Sequence, residues 1–400
     1  MKSMVLLTAA ALLALAVPAF AADVPGVTAT EIRIGNTMPY SGPTSAYGVI
    51  GKGEAAFWKM VNDQGGVAGH KIVFLSEDDG YAPPKAVEQV RKLVEQDGVA
   101  FLFNTLGTPP NTAIQKYLNQ KKIPQLFVAT GADKWGNYQD YPWTIGWQPS
   151  YRIEAQIYTK YILSVKPGAK IGILYQNDDF GKDYLAGVKD VLGDKYATML
   201  VKELSYETTD TTIDSQIVTL QGAGVDTLVT AATPKFAAQT IRKVYDIGWK
   251  PLHFVTNVSS SVGAVMQPAG FEKGVGVITA GYGKDPTDPT WKDDPGMNQW
   301  RDFMKKNLPD ADLTDANYVY AYGVSLTMLQ VLKQCDGDFS RENVMKQATN
   351  LHDLELPTGL PGINLNTSPT NYHPIRQMQL QKWDGKTWVR FGDIISGAGA

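Results

Sequence analysis

Hydrophobic and polar positions along this chain switch between a period of two and a helical period. Ile32 and Ile34 alternate with charged neighbours in Glu31-Ile32-Arg33-Ile34, as at the entry to a sheet. Pro39 stops that strand, because it donates no ladder hydrogen bond. Ser41-Gly42-Pro43 then turns the chain, and Thr44 or Ser45 is placed to cap a helix through Phe57, Trp58 and Val61. Lys71-Ile72-Val73-Phe74-Leu75 is a buried-type strand. Pro83-Pro84 opens a helix whose Val87, Val90 and Val94 fall at i, i+3 and i+7. Strands at 99–103 and 125–128 flank a helix with Ile114, Tyr117 and Leu118.

Strands spaced by helices of ~10–15 residues imply right-handed βαβ units and a parallel sheet. The fold class is therefore α/β. Three strands end in small or hydroxyl-bearing loops, at 41–45, 105–111 and 129–132. In a parallel sheet such loops share the carboxyl edge, where ligands bind. Each is either an ordinary connection or a place where free backbone N–H groups hold an anion.

Between 137 and 151 the texture turns aromatic, Pro-rich and short of charge, which reads as a crossing into a second lobe. The alternation then restarts. Ser150 is placed to cap a helix with Ile153, Ile157, Tyr161 and Ile162. Strands fall at 170–175, near 198–204, at 226–230 and at 252–255, with helices between them. A strand at 274–280 leads to a second crossing at 281–289. Helices follow at ~296–307, ~315–334 and ~340–349, and 357–362 reads as a third crossing. Asp384-Gly385 between two alternating runs is a hairpin signal. The expected division is 28–146 with 281–355 as lobe one, and 147–280 with 356–397 as lobe two.

Composition supports two lobes: 400 residues with 44% apolar content can bury a large core. Lys+Arg 37 against Asp+Glu 40 gives a net charge of −3, which points to no nucleic-acid partner and no polybasic membrane patch. Residues 1–22 join Lys2, an apolar run and Ala19-x-Ala21, the pattern of a cleavable signal peptide; a retained anchor is the alternative. Cleavage would remove Lys2 and shift the charge to −4 (−3 − 1). No other stretch reaches ~18 consecutive apolar residues, so a soluble periplasmic protein is expected. Cys335 is the single cysteine, so no internal disulfide forms. A semi-buried residue at a helix end is the simpler reading of it than a reactive thiol.

Catalytic motifs are absent. The histidines are His70, His253, His352 and His373, with no Gly-x-Ser-x-Gly elbow, His-Glu-x-x-His helix or phosphate loop. Gly274-x-Gly276 lacks the dinucleotide spacing. Glu77-Asp78-Asp79 is either part of a cation site or, preferably, a solvated or helix-capping cluster. Asp285, Asp288, Asp293 and Asp294 do not match a calcium loop. No cofactor, no metal and no enzymatic activity are expected; an exported hydrolase on an α/β frame is the alternative of another class, and a sensory ectodomain a third.

Several spaced motifs carry a family resemblance. They are Ser41-Gly42-Pro43 with Tyr47-Gly48, then Asn62-Asp63-Gln64-Gly65-Gly66-Val67-Ala68-Gly69-His70-Lys71-Ile72, then Asp78-Asp79 with Pro84, Ala86 and Val87, and Asp179-Phe180-Gly181. From about Glu31 onward the chain resembles the type I periplasmic substrate-binding proteins of ABC importers. The nearest branch looks like the leucine/isoleucine/valine-binding proteins and their relatives for amides and aromatic acids. The resemblance implies two Rossmann-like lobes with parallel sheets, three hinge crossovers and closure around a small ligand. It implies a monomer that serves permease and ATPase subunits. By position it puts a ligand carboxylate at Gly107, Thr108, Asn111, Ala129, Thr130 and Gly131. Tyr47 and Phe180 would form an aromatic wall, and Thr233, Asn257 and Val258 the second-lobe contacts. Trp147, Tyr151, Phe180 and Tyr184 offer flat apolar surfaces, each equally a core residue.

One departure bears on the ligand. Amino-acid binders of this branch hold the ligand ammonium with a second-lobe carboxylate. The matching loop here reads Thr256-Asn257-Val258-Ser259, with Val258 at the acidic position. A buried ammonium there would lack a charge-assisted partner worth ~1.5–3 kcal/mol. A small carboxylate without an amine, aromatic or otherwise organic, is expected; a branched-chain amino acid or amide is the alternative.

Overall fold

A computed structural model describes residues 24–397. The expected leader at 1–22 lies outside the described residues. Strands β1 (Glu31–Met38), β2 (Lys71–Asp78), β3 (Phe101–Phe103), β4 (Gln125–Val128) and β5 (Thr144–Gly146) make one sheet, in the order β2-β1-β3-β4-β5. Every pairing in it is parallel. The second sheet is built from β6 (Ile171–Gln176), β7 (Leu200–Tyr206), β8 (Thr227–Ala231), β9 (Leu252–Val255), β10 (Ile278–Gly281), β11 (Gln377–Trp383) and β12 (Trp388–Ser396). Its order is β12-β11-β10-β9-β8-β6-β7. Strands β6 to β10 are parallel, and the expected hairpin adds β11 and β12 antiparallel. All three residues of β3 and all four of β4 are buried, as helix-covered parallel strands require.

Helices α1 (Gly48–Asp63), α2 (Pro83–Glu95), α3 (Thr108–Gln120), α4 (Tyr151–Val165) and α5 (Asp179–Leu192) connect the strands that matter for the site. The turn between α1 and β2 shows what the Asn62-to-Ile72 motif does. Asn62 Nδ2 donates to the Ile72 carbonyl at 2.8 Å, and the Ile72 N–H donates back to Asn62 Oδ1 at 2.7 Å. Two bonds thus pin the start of β2 to the end of α1. Gly66 sits in that turn with φ +76, and a Cβ there would meet the His70 carbonyl oxygen at 2.0 Å.

Four expectations are corrected. Residues Ser45–Tyr47 form a 3-10 turn ahead of α1, and neither Thr44 nor Ser45 caps it by its side chain. β5 lies inside the stretch read as a crossing; three residues are too short for a period to register. β10 begins at Ile278, because Phe271–Gly274 is a 3-10 turn. The lobe boundary at 356 also shifts. Leu360, Ile363, Leu365, Tyr372 and Ile375 pack into the core of the first sheet with Trp147 and Tyr322, and the chain re-enters the second sheet only at β11. Ser150 caps α4 as expected, accepting from the Ile153 N–H. Cys335 is buried at the C-cap of Ala316–Gln334.

Candidate functional site

The carboxyl ends of both sheets face one cavity of about 140 Å³, counted as the space open to the centre of a water-sized sphere. Loops after β1, β3 and β4 supply one wall, and loops after β8 and β9 with the start of α5 supply the other. Of the residues singled out in the sequence, Tyr47, Gly107, Thr108 and Ala129 line it from the first sheet. Phe180, Thr233, Asn257 and Val258 line it from the second. Asn111, Thr130 and Gly131 stand behind the wall.

Those three shape the wall instead. Asn111 Nδ2 donates to the carbonyls of Thr105 (2.8 Å) and Gly107 (2.9 Å), and its Oδ1 accepts from Gln125 Nε2 at 2.6 Å. It therefore fixes the loop that carries Gly107. Thr130 Oγ1 and Thr108 Oγ1 are hydrogen-bonded to each other at 2.5 Å. The Gly131 carbonyl accepts the Tyr151 N–H at 2.7 Å.

The strand-end loops offer fewer free donors than their composition suggests. The Ser41 N–H and hydroxyl both go to the Asp78 carboxylate, at 3.1 and 2.6 Å. Burial works against the charge of Asp78, but bonds from Lys85, Ser41 and Gly80 outweigh it and hold its pKa well below the usual range. Glu77 and Asp78 are thus ion-pair partners of Lys92 and Lys85, not a cation site. At the start of α3, Pro109 and Pro110 remove two N–H groups, and the Asn111 N–H is taken by the Gly107 carbonyl.

Aromatic rings dominate the lining. Tyr151 lies 4.6 Å from Phe180, centroid to centroid, and Trp147 lies 5.1 Å from Tyr320 and 5.8 Å from Tyr282. Tyr184 is buried behind this wall, its hydroxyl on Thr256 Oγ1. Tyr81 was not legible as a site residue. It sits in the left-handed region (φ +63) in the turn after β2, and its ring lies against Gly107. A Cβ on Gly107 (φ +98) would come within 2.4 Å of that ring. Burial raises the pKa of all these tyrosines, so their hydroxyls stay protonated.

The second wall hides an acid that the sequence did not disclose. Glu154 on α4 is fully buried. Its Oε1 accepts from the Asn257 N–H (2.8 Å) and the Tyr158 hydroxyl (2.5 Å), and its Oε2 accepts from Asn257 Nδ2. Burial pushes its pKa up to about 7 despite those bonds. Its signal was a lone Glu three residues from Tyr151 and four from Tyr158, masked because α4 is buried on most of its faces. Glu154 does not line the cavity; it orients Asn257, which does.

Bonds from wall to wall run beside the cavity. The Tyr47 hydroxyl donates to the Val258 carbonyl at 2.9 Å, and Gln176 Nε2 donates to the Tyr81 hydroxyl at 3.3 Å. Lys284 is the one cation in the lining, and its ammonium is held by both Asp294 oxygens (2.8 and 2.9 Å) and the Pro357 carbonyl (2.8 Å). Among the described residues, no histidine or cysteine lines the cavity, and no group of three His, Cys, Asp or Glu could hold a metal. No described helix is long and apolar enough to cross a membrane.

A cleft between two α/β sheets, bridged by side chains from both, is the architecture of a ligand-binding receptor. The chain belongs to the Periplasmic binding protein family, whose model matches residues 31–387, and its fold is the type I one. It is a periplasmic ligand-binding receptor of the ABC transporter type. It is 25% identical over 322 residues to Leu/Ile/Val-binding protein homolog 1 of Brucella suis, covering 78% of this chain and 81% of the relative. A branched chain amino acid ABC transporter structure from Thermus thermophilus with bound valine superposes with a TM-score of 0.83 at 15% identity, over 92% of this chain and 97% of that one. A fatty acid ABC transporter substrate-binding protein from Thermomonospora curvata gives 0.76 at 20% identity, over 94% of both chains.

Proposed function

We propose that this receptor captures a small organic acid without an α-amino group, aromatic in preference, and delivers it to the permease and ATPase subunits of an importer. The single observation that carries this reading is the second wall. Loop 256–261 holds no acid, Glu154 behind it has both oxygens engaged by Asn257 and Tyr158, and Asp285, the one acid in the lining, accepts from the N–H and hydroxyl of Thr287. A ligand ammonium against loop 256–261 would be desolvated without a charged partner from that loop. Aromatic rings on both walls suit a flat apolar body.

The names of the relatives support a carboxylate in particular. The Brucella and Thermus proteins are named for branched-chain amino acids and the Thermomonospora protein for fatty acids. A carboxylate is what those ligands share. In this reading the chain is exported by its leader, works as a monomer, and closes by moving the body of the first sheet, with 356–375, against that of the second. Tyr47, Gly107, Thr108, Ala129, Phe180, Thr233, Asn257 and Val258 touch the ligand.

Thermal-shift screening followed by calorimetry tests the class. Benzoate, phenylacetate or octanoate should stabilise the protein, and leucine and valine should not. Stabilisation by leucine or valine with none by the amine-free acids would overturn the ligand class.

A further inference from the structure

The geometry points to a carboxylate subsite made of the phenol hydroxyls of Tyr81 and Tyr320, which line one cavity with Tyr151, in place of a cation or the start of α3. This rests on the reading that the ligand carries a carboxylate.

Hydrogen-bond bookkeeping fixes the direction of each phenol. The Asp178 carboxylate accepts from Gln176 Nε2 at 2.6 Å, so the amide nitrogen must face it. The other hydrogen of that nitrogen goes to the Tyr81 hydroxyl, and Gln176 Oε1 accepts from Tyr206 at 3.1 Å. Tyr81 is therefore an acceptor toward Gln176, and its own proton is unspent. Asn104 repeats the arrangement. Its Nδ2 donates to the Phe127 carbonyl at 2.5 Å, which can only accept, and to the Tyr320 hydroxyl at 3.0 Å. Tyr320 is left with a proton to give. Tyr151 accepts more weakly from Gln148 Nε2, at 3.5 Å.

All three phenols line the cavity. Tyr81 and Tyr320 also pack into one cluster, with Tyr47, Leu106 and Ala129. Tyr47 differs, because its proton already goes to the Val258 carbonyl. Tyr81 and Asn104 both sit in the left-handed region, at φ +63 and +52. Non-glycine residues persist there when the surroundings hold them, commonly at binding sites. The cation and the helix start that would otherwise hold an anion are spent: Lys284 is committed to Asp294, and the prolines of α3 leave it short of donors. Hydroxyl donors in a water-poor site bind a carboxylate through charge-assisted bonds.

The test uses Tyr81→Phe and Tyr320→Phe, which keep the rings and remove only the protons, with Tyr47→Phe as the contrast. Benzoate, octanoate and leucine are titrated against wild type and variants, alongside the primary amide of whichever acid binds. Each of Y81F and Y320F should weaken the bound carboxylate by roughly ten-fold or more. The acid should lose more than its amide, and ligand-free melting should move little. Y47F should weaken acid and amide alike. Wild-type affinity for the acid in both Y81F and Y320F overturns the subsite and leaves the ligand class standing. If leucine alone binds, the amine-free class falls, and loss of leucine affinity in the two variants still supports the subsite. If none of the three stabilises the wild type, both fall.

Discussion

The hydroxyl of Tyr47, just ahead of α1, donates to the backbone carbonyl of Val258, 211 residues along the chain and on the opposite wall of the cavity. The family resemblance puts Val258 at an acidic position, yet it is the main chain of Val258 that makes the contact. A bond that spans two bodies forms only when they are together, so it favours the closed state selectively. Tyr47→Phe should cost about 0.5–1.5 kcal/mol of binding free energy, a loss of roughly two- to twelve-fold in affinity. The loss should fall on the dissociation rate. Stopped-flow titration separates the two rates, and an unchanged dissociation rate would sink the idea of a latch.

How much of this was legible in the sequence differs between frame and site. The strand–helix alternation registered because whole strands are buried and the helices have apolar stripes, and Ala316–Gln334 was readable at both ends. Closing contacts are another matter. Gly107 and Val258 could be placed by order along the chain, but Asn111 was read as a ligand contact when it is the brace of the loop in front of it. Nothing in the sequence singles out Tyr81, because what makes it a site residue is a left-handed turn and a glycine 26 positions on. Glu154 was hidden by the burial of α4 on several faces. Pairings between residues far apart leave no periodic trace.

Glu154 makes stability depend on pH. Burial raises its folded-state pKa to about 7 from an ordinary value of 4.5. Between those values the folded chain holds a proton that the unfolded chain has released, so stability falls as pH rises through the window. The full effect is roughly 3 kcal/mol at most. Asp79, Asp178 and Asp285, raised by burial to about 6, and Asp183, raised to about 7, add slopes of the same sign. Together they outweigh the opposite slope of His253, lowered by burial to about 3, and of His373, also lowered. Urea denaturation should therefore show a less stable protein at pH 8 than at pH 5. Glu154→Gln removes one titration, and the difference between the two pH values should shrink by about 1–3 kcal/mol. An equal difference in both proteins would show that Glu154 does not titrate in this range.

Asp315 tests whether a further bridge opens with the cleft or stays made. It caps the helix Ala316–Gln334, accepting from the Asn317 N–H at 3.0 Å, and it accepts from the Ser261 hydroxyl at 2.7 Å. Ser261 belongs to the loop that carries Val258, and its neighbour's loop is tied down by the Gly263 N–H on the Thr314 carbonyl at 3.1 Å. Burial raises the pKa of Asp315, so a neutral side chain is tolerated there. Asp315→Asn keeps an oxygen for both partners and should change stability and affinity little. Asp315→Ala loses the cap, at about 1 kcal/mol of stability, and leaves the Ser261 hydroxyl without its acceptor. If the bridge forms on closure, Asp315→Ala also loses roughly two- to twelve-fold in ligand affinity. Lower stability with undiminished affinity would place Ser261 and Asp315 at the hinge, where the contact survives in both states.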